Sequence, residues 1–183
     1  MSGGSDRRAA RGAAYAIRPA RARELPALRE IEAAAGELFR QVGRSDVSDG
    51  GPPDLPVFER ARAEGGLFVA DLAGAPVGFA RMRIVDGTAH LDELSVHPAH
   101  GRSGLGARLV EFACAWARAR GYDAVTLSTF ADVPWNGPFY ARLGFRALPE
   151  HELTPGLLAV REHEAADGLD VKARVLMRRE LGP

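Results

Sequence analysis

The stretch Leu94-Ser95-Val96-His97-Pro98-Ala99-His100-Gly101-Arg102-Ser103-Gly104-Leu105-Gly106-Ala107-Arg108-Leu109-Val110 constrains the fold more than any other part of the chain. An apolar strand meets a proline-marked turn. The turn leads into a loop carrying Gly101, Gly104 and Arg102, and the loop opens directly into a helix. A strand–loop–helix junction of this kind turns successive backbone N–H groups outward at the positive end of a helix, where an anion can sit. Glycine lets the backbone approach a phosphate with no Cβ in the way. The loop lacks the Gly-Lys-Ser/Thr ending of a nucleotide-binding P-loop, so a nucleotide-binding α/β protein is disfavoured.

The flanking segments say what kind of sheet the junction belongs to. Residues 77–85 and 88–96 are strand-like runs separated by Asp86-Gly87, a strong two-residue hairpin signal. With the strand at 67–72, they form an antiparallel meander. The helix expected over 104–120 ends at Gly121, and a strand follows at 125–130. Because a helix intervenes, that strand can pair parallel with 88–96. Upstream, a short strand at 15–18 precedes an amphipathic helix at 24–39 with Leu25, Leu28, Ile31, Ala35 and Leu38 at helical spacing. Residues 44–56 read as a loop and 57–64 as a second short helix. Downstream, Asn136 is a plausible N-cap for a helix with Pro138 in its first turn, ended by Gly144 with Phe145 folding back. A weak helix at 157–166 and a last strand at 171–181 complete the chain. The expectation is a mixed α/β (α+β) fold, its sheet mostly antiparallel with one central parallel strand pair and flanking helices. Residues 15–181 form one domain, behind a disordered tail at 1–14.

Composition narrows the function classes. The 24 basic and 24 acidic residues cancel, so no long-range field favours nucleic acid or an anionic membrane. No apolar run approaches the ~20 residues of a membrane span. The tail has arginines but no apolar core segment, so a cytoplasmic protein is the default. A single cysteine, Cys114, excludes an intrachain disulfide and a multi-cysteine zinc site. His90, Asp92, His97 and His100 are metal-ligand types, but their spacing matches no tetrahedral zinc pattern, so no metal is expected.

Val96-His97-Pro98, then Gly104-Leu105-Gly106 opening a helix, then Asn136 through Tyr140 to Gly144-Phe145, resemble the GCN5-related N-acetyltransferase (GNAT) superfamily. The resemblance implies an enzyme that moves an acetyl group from acetyl-CoA, its cosubstrate, to a primary amine by direct attack in a ternary complex. It implies that the pyrophosphate of acetyl-CoA lies on Gly101, Arg102, Ser103, Gly104, Leu105, Gly106, Ala107 and Arg108. The family's usual Gln or Arg slot holds Gly101 here, with Arg102 one place later, so either Arg102 or Arg108 could meet a phosphate. The pantetheine arm would pair with backbone groups of Leu94, Ser95 and Val96 in a gap between the two parallel strands, with Thr129, Asn136, Phe139 and Tyr140 also against the cofactor. That arrangement leaves a backbone N–H to polarise the thioester carbonyl.

Acetyl transfer to an ammonium needs a proton acceptor and, for the departing thiolate, a proton donor. Tyr140 matches the family position of the acid. The base is among His90, Asp92 and Glu93; strand alternation puts His90 and Asp92 on one face and Glu93 on the other, and a bulge near Glu93 would scramble that count. Phe130 and Trp135 flank the same end of the sheet and can wall the acceptor pocket. Glu37, Asp46, Asp49 and Asp54 could attract a cationic amine. Apolar residues on the last strand could pair across a homodimer. The alternative of a different class is a non-catalytic acyl-CoA-binding or regulatory module of the same fold.

Overall fold

A computed structural model describes residues 15–182; the expected tail at 1–14 lies outside the described residues. Seven strands form one sheet: β1 (Ala16–Pro19), β2 (Leu67–Leu72), β3 (Ala75–Val85), β4 (Thr88–Val96), β5 (Ala124–Phe130), β6 (Arg146–Ala147) and β7 (Arg174–Glu180). Their order is β1-β2-β3-β4-β5-β7-β6. Every pairing is antiparallel except β4 with β5. The helices are α1 (Leu25–Arg40), α2 (Ser45–Asp49), α3 (Leu55–Ala63), α4 (Leu105–Ala119), α5 (Gly137–Arg142) and α6 (Pro155–Ala166). The mixed, mostly antiparallel sheet with a central parallel pair is therefore as the sequence implies.

The β3–β4 hairpin turns on Asp86 (φ 48°) and Gly87 (φ 74°), with Val85 facing Thr88. Two successive positive φ angles match the right-handed twist of the strands, which is why Asp-Gly suits the position. On one face of the sheet, Leu105, Leu109, Val110, Ala113 and Ala117 of α4 pack with Met82, Ala89, Leu91, Val125 and Leu127. On the other, Leu25, Leu28 and Ile31 of α1 and Phe58 of α3 pack with Leu67, Val69 and Phe79. Fully burying such a side chain is worth roughly 1.5–3 kcal/mol, whereas a helix cap is worth about 1 kcal/mol. The α4 stripe therefore holds that helix in place although its N-cap, Gly104, has no capping side chain.

Several local expectations change. Residues 45–49 close one helical turn, α2, inside the segment read as a loop, and α3 begins two residues earlier than expected, with Pro56 in its first turn. The final strand starts at Arg174, after a 3₁₀ turn at Val171–Ala173. The two-residue β6 pairs with Arg178 and Met177 of β7. Because β7 lies between β5 and β6, its outer edge is hydrogen-bonded at Met177 and Arg178.

Two features open the sheet at its centre. β4 and β5 pair only over Ala89–Leu91 against Val125–Leu127. Past Leu91, the β5-facing edge of β4 has no strand partner, while its other edge stays paired to β3 through Val96 opposite Gly78. The β3–β4 register shifts at the same level: Met82 faces Leu91 and Arg81 faces Glu93, so Asp92 is the extra residue of a bulge. A bulge bends and twists its strand, and here it coincides with the point where β4 leaves β5.

Candidate active site

The gap between β4 and β5 is where α4, α5 and α1 converge. At the head of α4, Pro98–His100 make a 3₁₀ turn, the His97 ring accepts the Ala99 N–H (3.2 Å), and the Ser103 hydroxyl donates to the His100 carbonyl (2.7 Å). Arg102 (φ 57°) and Gly104 (φ 78°) are both left-handed, and this sharp path aims the first turn of α4 outward. The N–H groups of Leu105, Gly106 and Ala107 have no partner within the helix, as in any first helical turn. A Cβ on Gly106 would sit 3.5 Å from Phe139 Cζ and 4.0 Å from Leu94 Cδ2, so the helix start, the open strand end and α5 meet at that glycine. The two loop arginines differ. Arg108 donates to the Tyr15 carbonyl (2.7 Å), tethering β1, whereas Arg102 is exposed and makes no ion pair or hydrogen bond among the described residues.

On α5, Gly137 is pressed so closely on the end of β5 that a Cβ would lie 2.6 Å from the Ala131 carbonyl oxygen. Asn136 occupies the N-cap position but makes no capping hydrogen bond, contrary to its expected role. Its amide Nδ2 donates instead to Thr129 Oγ1 (2.8 Å), and its Oδ1 is enclosed without a partner among the described residues. Tyr140 is buried between the rings of Phe139 (5.0 Å) and Phe145 (5.7 Å). Burial, and then the negative charge of Glu93, push its hydroxyl well above the usual tyrosine range.

The three candidate bases are not equivalent. His90 is enclosed under the paired part of β4, its Nδ1 2.9 Å from Thr126 Oγ1. Burial pushes it down to about 4, so it is neutral at pH 7. Asp92, the bulged residue, lies 2.9 Å from Arg81 Nε and 2.8 Å from Arg83 Nε. Burial would raise its carboxyl, but the two guanidinium groups and His90 outweigh that and hold it below the usual range. Among the described residues Glu93 accepts the Ser95 hydroxyl (2.8 Å), and its charge reaches Arg81, Tyr140 and Glu32. The alternation that set Glu93 on the face opposite His90 and Asp92 breaks at the bulge: His90 faces Arg83, Glu93 faces Arg81, and Asp92 reaches both arginines.

Aromatic rings wall the end of β5. Phe39 packs on Phe130 (5.7 Å) and Trp135 (5.8 Å), and the guanidinium groups of Arg44 and Arg174 lie 4.9 and 4.7 Å from the centre of the Phe130 ring. Arg44 pairs with Asp132 and Asp170, and Arg174 with Glu164. The four acidic residues singled out for a cationic amine are engaged locally: Glu37 and Asp49 with Arg40, Asp54 with Arg29, and Asp46 with the Asp170 N–H. Sequence reasoning missed Glu32, which stands half-buried on α1. Its signal is spacing: Leu25, Leu28, Glu32, Ala35 and Phe39 recur three and four apart, putting a carboxyl in the buried stripe. Among the described residues no three His, Cys, Asp or Glu form a metal-binding group, and no helix is long and apolar enough to cross a membrane.

A sheet opened beside a glycine-bearing helix start is the architecture of the acetyltransferase (GNAT) family, whose model matches residues 26–145; the chain belongs to that family. Among solved structures it is similar to the ribosomal-protein-S18-alanine N-acetyltransferase of Escherichia coli, with 20% identity, a TM-score of 0.66, and 93% of this chain and 96% of that one covered. It is also similar to a PaiA N-acetyltransferase of Thermoplasma acidophilum in complex with coenzyme A, with 16% identity, a TM-score of 0.64 and 91% and 99% covered. A third is N-acetylglutamate synthase of Neisseria gonorrhoeae, complexed with coenzyme A and N-acetyl-glutamate, with 19% identity and a TM-score of 0.69. The match covers 93% of this chain but only 36% of that synthase. At these identities the likeness concerns the fold.

Proposed function

We propose that the protein transfers the acetyl group of acetyl-CoA to a primary amine by direct attack within a ternary complex. The observation that carries the reading is the unpaired β4 edge beyond Leu91, lying beside the free N–H groups at the start of α4. An acyl-pantetheine arm has amides that can pair with Leu94, Ser95 and Val96 as an added strand does, while its pyrophosphate rests on residues 101–108. The orphaned Asn136 Oδ1 suits an amide N–H of the same arm, next to Thr129 and Phe139. Arg102, unpaired and exposed, is the arginine for the phosphates, since Arg108 already holds Tyr15. The coenzyme A bound by two of the similar structures supports the choice of cosubstrate.

In this reading Glu93 is the base. It carries neither the neutralising burial of His90 nor the two arginines of Asp92. The acceptor ammonium gives one proton to Glu93, which keeps it while the thioester is cleaved. The neutral amine attacks the thioester carbon, the N–C bond forms, and the C–S bond breaks. Tyr140 gives its proton to the thiolate, the nitrogen returns its second proton to the Tyr140 phenolate through solvent, and Glu93 then releases its own proton to solvent. The negative charge of Glu93 is one of the two causes that raise Tyr140. Once Glu93 has taken a proton, that charge is gone and Tyr140 becomes the better donor. Base and acid are thus linked in the order the reaction needs.

The test is release of free thiol from acetyl-CoA across a panel of primary amines. Saturable, amine-dependent release supports the reading. Saturable acetyl-CoA binding with no amine-dependent release would identify a non-catalytic acyl-CoA-binding module instead.

A further inference from the structure

The Glu32 carboxyl has no part in the mechanism above, yet its setting is costly. α1 crosses the face of the sheet: Leu28 and Ile31 pack with Phe58, Val69 and Phe79 over β2 and β3, while Phe39 reaches Phe130 at the end of β5. Glu32 lies between these two anchors on the same stripe, above β4, where an apolar side chain would continue the packing. Its Oε2 is fully enclosed and has no hydrogen-bond partner among the described residues. The charged groups acting on it are Glu93 and Asp92 from β4, Arg81 from β3 and Arg29 from α1 itself. Asp92 is already paired to Arg81 and Arg83, and Arg81 Nη1 is enclosed without a partner. Burial, then the charge of Glu93, push the Glu32 carboxyl up to about 9 against the pull of Arg81. A group that breaks the pattern of its helix, without a partner to compensate it, marks a place where function outweighs stability.

We propose that Glu32 is the second carboxyl of the acceptor site, facing Glu93 at the open end of the β4–β5 gap, and that the pair binds the nitrogen of a cationic alkylamine. This rests on acetyl transfer occurring at that gap. An arriving ammonium beside the carboxyl favours its ionised form, and Glu32 then releases its proton to solvent. The ammonium has three N–H donors. One is held by Glu32 and one by Glu93, which removes its proton, and the neutral amine stays anchored to Glu32 as it attacks. The aromatic wall of Phe39, Phe130 and Trp135 lies one helical turn or more beyond and takes the body of the acceptor.

The experiment compares wild type, Glu32→Leu and Glu32→Gln by thermal unfolding, by acetyl-CoA affinity, and by kcat and KM. The acceptor probes are propylamine, benzylamine, 1,4-diaminobutane and an alanine-terminated peptide. Leucine completes the apolar stripe, so Glu32→Leu is expected to melt at or above the wild-type temperature. Its advantage grows from pH 6 to pH 8, because the folded protein keeps the Glu32 proton up to about 9 while the unfolded chain releases it near the ordinary carboxylate value. Acetyl-CoA affinity is expected to be unchanged in both variants, and KM for the best acceptor to rise at least tenfold. A KM within twofold of wild type in both variants, with wild type active, overturns the role of Glu32 alone. If Glu32→Leu melts lower than wild type, the KM of Glu32→Gln decides in the same way. No turnover of any probe by wild type overturns acetyl transfer at the gap, and this proposal with it.

Discussion

His90 illustrates how one position on β4 can be chemically silent at neutral pH yet govern stability in acid. His90 Nδ1 lies 2.9 Å from the Thr126 hydroxyl, and burial keeps the ring neutral at pH 7. The unfolded chain titrates this imidazole at the ordinary value of 6.5, the folded protein at about 4. Between those values the unfolded state binds more protons, so stability falls as pH drops through the window, by up to roughly 3 kcal/mol. The raised Glu32 carboxyl acts in the opposite sense over the same range and is common to both proteins, so urea unfolding at pH 7 and pH 4.5 is expected to show wild type losing stability relative to His90→Asn as pH falls. An equal loss in both would mean that other groups carry the acid sensitivity. The two loop arginines separate in the same residue-by-residue way. Arg102→Ala is expected to weaken acetyl-CoA binding by about 1.5–3 kcal/mol, the range for a hydrogen bond to a charged group. Arg108→Ala should leave that affinity nearly intact and lower the melting temperature by freeing β1; isothermal titration with acetyl-CoA distinguishes them.

At the scale of elements, α5 carries Phe139 and Tyr140, and its position depends on Gly137. The Cβ of an alanine there would meet two carbonyl oxygens, Ala131 at 2.6 Å and Phe130 at 3.0 Å, and backbone atoms cannot yield as side-chain tips do. Gly137→Ala is expected to cost about 1–3 kcal/mol, as overpacking does, and to lower kcat by displacing Tyr140. Denaturant unfolding and thiol release together test it; unchanged stability and rate would contradict the close packing of α5 on β5. Elements of this kind were largely legible beforehand. Asp86-Gly87 marks the hairpin, Gly104 marks the head of α4, and Gly144-Phe145 marks the end of α5. What escaped the sequence depends on partners distant along the chain. The extra residue at Asp92 appears only against β3, so alternation alone puts Glu93 on the wrong face, away from His90 and Asp92. β6 is two residues held by β7, too short for any periodicity. Asn136 looks like a cap because the strand residue that turns its amide away, Thr129, lies seven residues upstream on another element. Glu32 is invisible to a periodicity of apolar residues, and its meaning comes from interrupting that periodicity.

Across the whole molecule, three segments far apart in sequence close over the end of β5, where the account places the acceptor. Arg44 bridges Asp132 and Asp170, Asp46 accepts the Asp170 N–H, and α1 lays Phe39 on Phe130. The opposite face presents α4 and its glycine-bearing start. The β4–β5 gap joins these two sides, so a cosubstrate entering from one and an amine from the other would meet beside Glu93 and Tyr140. That meeting is the central claim, and Tyr140→Phe tests it most directly. The substitution keeps the ring between Phe139 and Phe145 and removes only the hydroxyl. Thiol release from acetyl-CoA with a saturating amine is measured beside the acetyl-CoA dissociation constant for wild type and variant. The account predicts a fall in kcat of about 10²–10⁴, the range of a general acid–base group, with the dissociation constant unchanged. An unchanged kcat, or equal losses in rate and binding, would contradict it.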